Sequence, residues 1–234
     1  MCGIIGVFNQ NNVQRSVISG LKDLKNRGRD SYGIITDKVL DIKDKISDLK
    51  VEKSNLAMGH ARLRIVGNVK QPIKETGKIV ANCEIYNWKE LSSKYKLGAK
   101  NDAQVIIKLI EKIGTSKIES VLTKLDGDFA FCYWIDDELI LARDIIGVKP
   151  LFYSFDKKQG FSFSSEKKVL EKLNQKNINE LIPRKILKYN IKNNEISFIN
   201  QKFYETKNVK NKFEKILEST EKKLINSIKK RIPD

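Results

Sequence analysis

The chain begins with MCGIIGVF (residues 1–8), an apolar segment with a cysteine at its second position. The run from Gly3 to Phe8 predicts a buried strand at the very start of the fold. The small residue at position 2 favours removal of Met1 by methionine aminopeptidase, which would make Cys2 the N-terminus. One residue would then carry both a thiol and an α-amine, and an amine with a pKa of about 7.7–8.0 can serve as general base for that thiol. We therefore predict that Cys2 is a nucleophile that needs no histidine.

Helical periodicity and capping signals recur downstream of this strand. The predicted helices are one that contains Val17, Leu21 and Leu24 and stops near Gly28, one opening at a capping box of Asn87 and Glu90, one from Asp102 to Ile113 capped by Asn101 and ended by Gly114, one starting at Ser116 and Glu119, and a basic helix from Asn211 to Arg231.

Short apolar runs separated by turn residues predict several strands and hairpins. They are a strand and loop at 56–67, a short strand at 79–82, and hairpins at 128–135 with 138–143, 151–155 with 161–164, and 186–191 with 195–199. The charged stretch 37–54 is predicted to be peripheral. Because helices and hairpins segregate along the chain, we expect an α+β fold with stacked sheets.

The length of 234 residues suits one large domain or one domain with an appendage. Lysine and arginine outnumber aspartate and glutamate by 45 to 29, which gives a formal net charge of +16. A strongly basic chain can indicate a nucleic-acid partner. Here the basic residues are dispersed and form no stripe interleaved with aromatic side chains, so nucleic-acid binding is not favoured.

The sequence predicts a cytoplasmic protein without a membrane partner. No apolar run is long enough to span a bilayer, and the first residues lack the basic start of a signal peptide. The three cysteines, Cys2, Cys83 and Cys132, have unrelated spacings. Neither a disulfide framework nor a zinc site is predicted, and no metal ligands are expected.

Eight motifs follow one another in order: MCGIIGVF (1–8), RGRDSYG (27–33), GHARLRIVG (59–67), NCEIYN (82–87), NDAQVII (101–107), LDGDFAF (125–131), ARDIIGVKPLFY (142–153) and FSSEKKVL (163–170). The set resembles the glutaminase domain of class II glutamine amidotransferases, which are N-terminal-nucleophile hydrolases, and most closely that of the asparagine synthetase family. The resemblance runs from Met1 to about Tyr204. It implies a four-layer αββα sandwich over residues 1–205, followed by a C-terminal helix over 206–234.

The resemblance also implies roles for the matching residues. Cys2 would attack the side-chain amide of L-glutamine, while Asn82 and the backbone N–H of Cys83 would form the oxyanion hole. Arg62 would pair with the substrate α-carboxylate, a planar anion that suits a guanidinium group. Glu84 and Asp102 would hold the α-ammonium group.

Other polar residues in the motifs receive a structural interpretation. His60 is the only histidine, and we expect it to be structural because the α-amine already supplies a base. Arg143, Asp144 and Lys149-Pro150 are expected to form a turn and a packed ion pair. Taken alone, Arg62 is better interpreted as a surface cation and Asp102 as a helix-start charge; within the ordered set of motifs, the substrate-binding roles are favoured instead.

The chain departs from the family pattern at three places. Cys83 replaces a glycine; if that position needs a positive φ, a side chain costs about 1–2 kcal/mol there. Arg29 replaces a proline in a loop expected to cover the glutamine site. NDAQ replaces SDTE but keeps Asp102.

The C-terminal segment 206–234 resembles the helix that opens the ATP-pyrophosphatase domain of asparagine synthetase. No glycine-rich phosphate loop occurs in the chain. We therefore expect no cofactor here, with ATP and Mg²⁺ bound only by a synthetase partner, domain or subunit, that receives ammonia. The final helix is either a docking segment for that partner or a solvated end helix.

Asparagine formed from aspartate is the first prediction for the end product. An ATP-pyrophosphatase that amidates a deazaguanine in modified tRNA is the alternative acceptor. Two other classes stay open: a module that senses glutamine without turnover, which Cys83 favours, and a stand-alone glutaminase.

Overall fold

The structure is a computed structural model that describes residues 1–50, 52–64, 68–201 and 212–232. The chain divides into two compact units, Met1–Gln201 and Lys202–Asp234. The predicted domain boundary between residues 205 and 206 lies outside the described residues, and so does Tyr204, so that boundary stays a prediction. Gly67, Asn211 and the ends of their predicted segments are also outside the described part.

The first unit contains thirteen described strands and five described α-helices. The strands are β1 (Gly3–Phe8), β2 (Ser31–Thr36), β3 (Leu40–Lys43), β4 (Leu56–Arg62), β5 (Ile73–Lys74), β6 (Lys78–Ile85), β7 (Gly127–Ile135), β8 (Glu138–Arg143), β9 (Phe152–Asp156), β10 (Gly160–Ser164), β11 (Ile178–Glu180), β12 (Lys185–Asn190) and β13 (Glu195–Asn200). The helices are α1 (Val13–Asp23), α2 (Trp88–Lys94), α3 (Asp102–Ile113), α4 (Ile118–Leu122) and α5 (Lys167–Lys172).

The strands form two sheets. One sheet has seven strands in the order β11-β9-β10-β1-β4-β2-β3, and the other has six in the order β13-β12-β8-β7-β6-β5. The strand pairs β1–β10, β1–β4 and β6–β7 are all antiparallel. The opening strand β1 is therefore an interior strand of the seven-stranded sheet, with β10 on one side and β4 on the other.

Three apolar clusters lie between the four layers of secondary structure, two of helices and two of sheet. Ile5 and Val7 of β1 pack with Val17 and Leu21 of α1 on the outer face of the first sheet. The alternate β1 residues Ile4 and Phe8 point to the second sheet, where they join a cluster that includes Cys132 and Leu141. On the far face of the second sheet, residues of β6 and β7 pack against α3 and α4. This is the predicted four-layer αββα sandwich. Because successive side chains of a strand point to opposite faces of its sheet, each sheet contributes residues to two apolar clusters.

Many predicted elements are confirmed. They are the opening strand, the helix from Asp102 to Ile113 capped by Asn101 and ended by Gly114, and the hairpins β7–β8, β9–β10 and β12–β13. The strand predicted at 79–82 is longer and extends to Ile85. The helix predicted from Ser116 begins at Ile118, after a 3-10 turn over Thr115–Lys117.

The predicted capping box at Asn87 is wrong. Asn87 does precede α2, but its side chain makes no capping hydrogen bond to that helix. The Nδ2 group instead donates to the carbonyl of Lys124 at 2.9 Å, and Oδ1 accepts from the backbone N–H of Asp126 at 3.1 Å. Asn87 therefore joins the start of α2 to the loop that leads into β7.

The second unit contains one described helix, α6 (Phe213–Lys230). It follows the predicted range closely and buries none of its described residues. Phe213, Leu217 and Ile228 are among its exposed apolar side chains. Lys229, Lys230 and Arg231 at its end place positive charge where the helix dipole favours it.

Candidate active site

The pairing of β1 with β4 brings Cys2 beside the end of β4. Gly3 is the register partner of Ala61, so Cys2 lies at the level of Arg62 and Leu63. The Cys2 Sγ atom is 3.4 Å from the backbone nitrogen of Leu63, which donates to it. The Arg27 Nε group donates to the carbonyl of Cys2 at 2.9 Å. Backbone and side-chain contacts thus hold the residue before β1 in place.

Gly28 allows the loop before β2 to lie directly on the end of β4. A Cβ atom added at Gly28 would lie only 2.4 Å from the carbonyl carbon of Arg62 and 2.6 Å from its oxygen. The backbone N–H of Asp30 donates to the same Arg62 oxygen at 2.9 Å. The RGRDS loop therefore fixes the backbone of Arg62, and only a residue without a side chain fits at position 28.

The thiol of Cys2 is uncharged at neutral pH. Burial raises its pKa, and the hydrogen bond from Leu63 and the N-terminal amine oppose that effect only in part. The amine belongs to Met1 in this structure, and its charge is close enough to affect the thiol. A base must therefore take the thiol proton before Cys2 can act as a nucleophile.

Strand β6 carries three consecutive predicted site residues, Asn82, Cys83 and Glu84. Strand β5 pairs with β6 only at Lys78 and Ile79, at the beginning of β6. The backbone N–H of Ala81 points away from β7, because it donates to Gln71 Oε1 at 2.7 Å. In an antiparallel strand the N–H two residues later points the same way. The N–H of Cys83 is therefore directed away from β7, at the edge where the pocket lies.

Asn82 is a buried donor that faces the same pocket. Its side chain is 2% exposed, and its Nδ2 atom has no hydrogen-bond partner among the described residues. Buried amide donors are normally satisfied, so an unpaired one beside a pocket marks a place for a ligand acceptor.

Cys83 contacts Asp102 at the start of α3. Its Sγ atom lies 3.7 Å from Asp102 Oδ2, and burial together with the charge of Asp102 raises the pKa of the thiol well above its usual range. The thiol is thus the donor in this contact. Burial also raises the pKa of Asp102, against the backbone N–H groups of Ala103 and Ile85 that lower it. Cys83 does not have a positive φ, so the backbone strain considered for this substitution does not arise.

Glu84 forms an ion pair that was not predicted. Its Oε1 atom lies 3.0 Å from Lys149 Nζ. Lys149 is buried, whereas the side chain of Glu84 is 33% exposed. The structural interpretation of this motif holds for Asp144, whose carboxylate accepts the N–H groups of Val148 and Lys149. Lys149, in contrast, reaches a predicted site residue. The apolar neighbours of Lys149 in GVKPLFY could have indicated a buried ion pair, since a lysine in such a run needs a buried counter-charge.

All six predicted site residues line one pocket of about 460 Å³, a volume that includes its open mouth. They are Cys2, Arg62, Asn82, Cys83, Glu84 and Asp102. Arg62 and the two carboxylates give the pocket both charge signs. Leu63, Gln71 and Asn101 also line it and were not predicted as site residues.

His60 is buried between the sheets and is not among the residues that line this pocket. Its Nε2 atom is 3.1 Å from the carbonyl of Ala81. Burial lowers the pKa of His60 to about 3, so the ring is neutral at pH 7. A neutral ring facing a carbonyl carries its proton on Nε2.

Residues 1–215 match the family described as "Glutamine amidotransferase domain". The chain belongs to this family. Its ordered motifs and its αββα sandwich make it a class II glutamine amidotransferase.

Two relatives and one solved structure illustrate the relationship. This amidotransferase domain is 39% identical over 187 residues to a Methanocaldococcus jannaschii protein named as a glutamine-hydrolysing asparagine synthetase, covering 73% of this chain and 33% of that protein. It is 31% identical over 188 residues to asparagine synthetase 1 of Bacillus subtilis, covering 73% and 26%. The structure of glutamine phosphoribosylpyrophosphate amidotransferase from B. subtilis superposes with a TM-score of 0.72 at 22% identity, covering 87% of this chain and 50% of that one.

The amidotransferase domain thus spans a third or less of the two curated relatives. None of the described helices combines the length and apolar character of a membrane span. Within the same described residues, no group of three or more histidine, cysteine, aspartate or glutamate side chains could hold a metal ion.

Proposed function

We propose that the chain hydrolyses L-glutamine to L-glutamate and ammonia through a γ-glutamyl thioester on Cys2. The observation that carries the proposal is the convergence of Cys2, Asn82, Arg62 and the two carboxylates Glu84 and Asp102 on one pocket. A glutamine molecule presents an amide, a carboxylate and an ammonium group, and the pocket offers a chemically matched group to each.

In the proposed reaction, Met1 is removed and the α-amine of Cys2 takes the thiol proton. The sulfur forms a bond to the side-chain carbonyl carbon of glutamine, and the oxygen becomes an oxyanion that accepts from Asn82 Nδ2 and the N–H of Cys83. Loss of one such donor typically slows a reaction ~10²–10³-fold. The α-ammonium group of Cys2 then returns the proton to the amide nitrogen; the carbonyl re-forms as the C–N bond breaks, and the nitrogen leaves as ammonia. Water then attacks the carbonyl carbon of the thioester, which releases L-glutamate and restores the Cys2 thiol.

In this proposal the remaining pocket residues bind the amino-acid end of glutamine. Arg62 pairs with the α-carboxylate, and Glu84 and Asp102 hold the α-ammonium group. These contacts orient the amide against Cys2, and such orientation contributes much of the rate in reactions of this kind.

The test is release of ammonia and glutamate from glutamine by the purified chain and by Cys2→Ala, with intact mass confirming that Met1 is gone. We expect activity that disappears in the variant. If a correctly processed chain neither turns over nor forms an adduct with a glutamine-like electrophile such as 6-diazo-5-oxonorleucine, the proposal is wrong for the isolated chain. The alternatives would then be a subunit that is activated by its synthetase partner and a glutamine-sensing module, which the Cys83–Asp102 contact favours.

We further propose that the ammonia passes to an ATP-pyrophosphatase-type synthetase, which alone would bind ATP and Mg²⁺, and that asparagine is the product. The names of the two curated relatives support this acceptor. The test is to feed cells [amide-¹⁵N]glutamine in the presence of the chain or of its Cys2→Ala variant. Cys2-dependent label in asparagine is expected, and Cys2-dependent label in deazaguanine nucleosides of tRNA would replace asparagine by the alternative acceptor.

A further inference from the structure

We propose that Lys149 is a positioning residue of the glutamine site, holding the Glu84 carboxylate in the orientation that receives the α-ammonium group. The proposal rests on the function proposed above. Lys149 does not line the pocket itself, so it acts on the substrate only through Glu84.

Lys149 is a buried cation whose charge is paired with Glu84. The side chain of Lys149 is 5% exposed, and Glu84 Oε1 lies 3.0 Å from its ammonium nitrogen. Within the described part of the chain, no other carboxylate is within ion-pair distance of Lys149. A buried ammonium group needs a partner of opposite charge, since an unpaired charge is expensive in the interior. The position of the Lys149 side chain is therefore tied to the position of Glu84.

The segment that carries Lys149 is held in place by backbone hydrogen bonds. Asp144 Oδ1 accepts the N–H of Val148 at 2.7 Å, and Oδ2 accepts the N–H of Lys149 at 3.0 Å. The backbone N–H of Asp144 in turn donates to Phe129 in β7 at 2.7 Å. Phe129 is the register partner of Cys83, next to Glu84. Lys149 is thus anchored to the strand that adjoins the one bearing Glu84.

Without Lys149, the side chain of Glu84 would be free to adopt several conformations. Its side chain is one-third exposed and lines the pocket, and a free glutamate side chain has several accessible rotamers. The ion pair uses Oε1 and leaves Oε2 for a ligand. Ordering a binding group before the ligand arrives lowers the entropic cost of binding. Lys149 therefore contributes to glutamine affinity without touching the reacting atoms.

The experiment compares the glutamine kinetics of Lys149→Met and Lys149→Arg with those of the full chain. We expect the KM for glutamine to rise about tenfold in Lys149→Met, the scale of a lost charged hydrogen bond, with kcat within about twofold of the parent. Lys149→Arg should give an intermediate KM, because it keeps the charge but changes the head group. A merely structural role would lower the melting temperature and the active fraction, and KM would stay unchanged.

Lys188→Met is the matched control, since Lys188 forms a comparable ion pair with Glu138 at 2.7 Å but does not line the pocket. Its KM should equal that of the parent. The decisive comparison is a double-mutant cycle: in a Glu84→Gln background, Lys149→Met should add no further change in KM. Additive effects in the cycle would overturn the proposal, and so would an unchanged KM in both Lys149 variants.

The dissociation constant of glutamine, measured by calorimetry in a Cys2→Ala background, separates this proposal from the proposed reaction. An inactive parent chain that still binds glutamine leaves Lys149 testable, because Lys149→Met should weaken that binding about tenfold. If Lys149→Met does not fold, Lys149→Arg is compared with the parent, and the uncharged double variant Lys149→Met/Glu84→Gln is compared with Glu84→Gln alone. Binding by Lys149→Arg equal to that of the parent, or weaker binding by the double variant than by Glu84→Gln, would overturn the role of Lys149.

Discussion

Cys83 carries a CH2–SH side chain where the resemblance implies a glycine, and its Sγ atom lies against Asp102, a residue proposed to bind substrate. Because the thiol donates to Asp102 Oδ2 at 3.7 Å, it would compete with the α-ammonium group that we propose Asp102 to hold. Its backbone, in contrast, is ordinary strand and carries no left-handed strain. The substitution should therefore affect binding of glutamine more than folding.

Cys83→Gly and Cys83→Ala should each lower the KM for glutamine, by about two- to tenfold if the thiol hydrogen bond has a typical net value. Steady-state ammonia release would measure this. Cys132→Ala is the control for loss of a cysteine, because Cys132 is fully buried in the cluster between the sheets. A KM that rises in both Cys83 variants would show that the thiol assists binding instead.

His60 should make the fold sensitive to acid. Its folded pKa, about 3 because of burial, is below the ~6.5 of an unfolded histidine. Below that pH the unfolded chain takes up a proton that the folded chain does not, so this contribution to stability is present above pH ~6.5 and is lost as the pH falls. For each pH unit over which the unfolded chain binds this extra proton, the free energy of unfolding falls by about 1.4 kcal/mol.

Urea unfolding of the parent and of His60→Gln at pH 7.0 and 4.5 measures this contribution. We expect the variant to be less stable at pH 7.0 because it disturbs a packed interior. At pH 4.5 the difference in free energy of unfolding should shrink by about 2–3 kcal/mol, the linkage of one proton over two pH units. A difference that is the same at both pH values would contradict the assignment of a neutral ring.

At the scale of single elements, the N-terminus of α3 links stability to the site. Asn101 Oδ1 accepts the backbone N–H of Gln104 at 2.9 Å, and Asp102 follows as the first helical residue. Loss of an N-cap typically costs ~1 kcal/mol. Asn101→Ala should therefore lower the free energy of unfolding by about that amount and raise the KM for glutamine through displacement of Asp102. Asn101→Asp keeps a capping oxygen and should stay close to the parent in stability.

Elements with a local signal could be predicted from the sequence. The hairpin β7–β8 has alternating strands around Asp136-Asp137, and α3 has both a cap and a stop residue. Strand β2 was missed because all six of its residues are buried, so no polar alternation distinguishes it. Strands β3, β5 and β11 were missed as well, since none has more than four residues, too few to show an alternation. Helix α5 was also missed; its six residues make fewer than two helical turns.

Contacts between distant segments could not be predicted by local signals. The six pocket residues were identified because ordered motifs resembled a family, and nothing in their spacing alone brings residue 2 next to residue 102. Asn87 shows the converse, since its sequence fits a cap while its side chain bonds to a loop almost 40 residues later, at separations of 37 and 39 positions. Lys149 and Glu84, 65 positions apart, became partners only through the pairing of strands.

At the scale of the whole molecule, the described members of the three apolar clusters all lie in the first compact unit, which therefore has a core of its own. Deletion of residues 202–234 should therefore leave the melting temperature within a few degrees of the parent, because a ~1 kcal/mol change moves the midpoint of a protein of this size by only ~2–4 °C. Differential scanning calorimetry of both proteins is the measurement. A drop of more than 10 °C would show that the C-terminal segment contributes to the core.

The interior position of β1 also determines when the site can exist during protein synthesis. Strand β1 is synthesised well before its neighbour β10; the Ile4 N–H and its acceptor Ser165 Oγ are 161 positions apart. Pairings this distant in sequence form late in folding. Until β10 has been made, β1 lacks one of its two neighbours in the sheet, so the pocket beside Cys2 cannot be complete before most of the first unit has been synthesised.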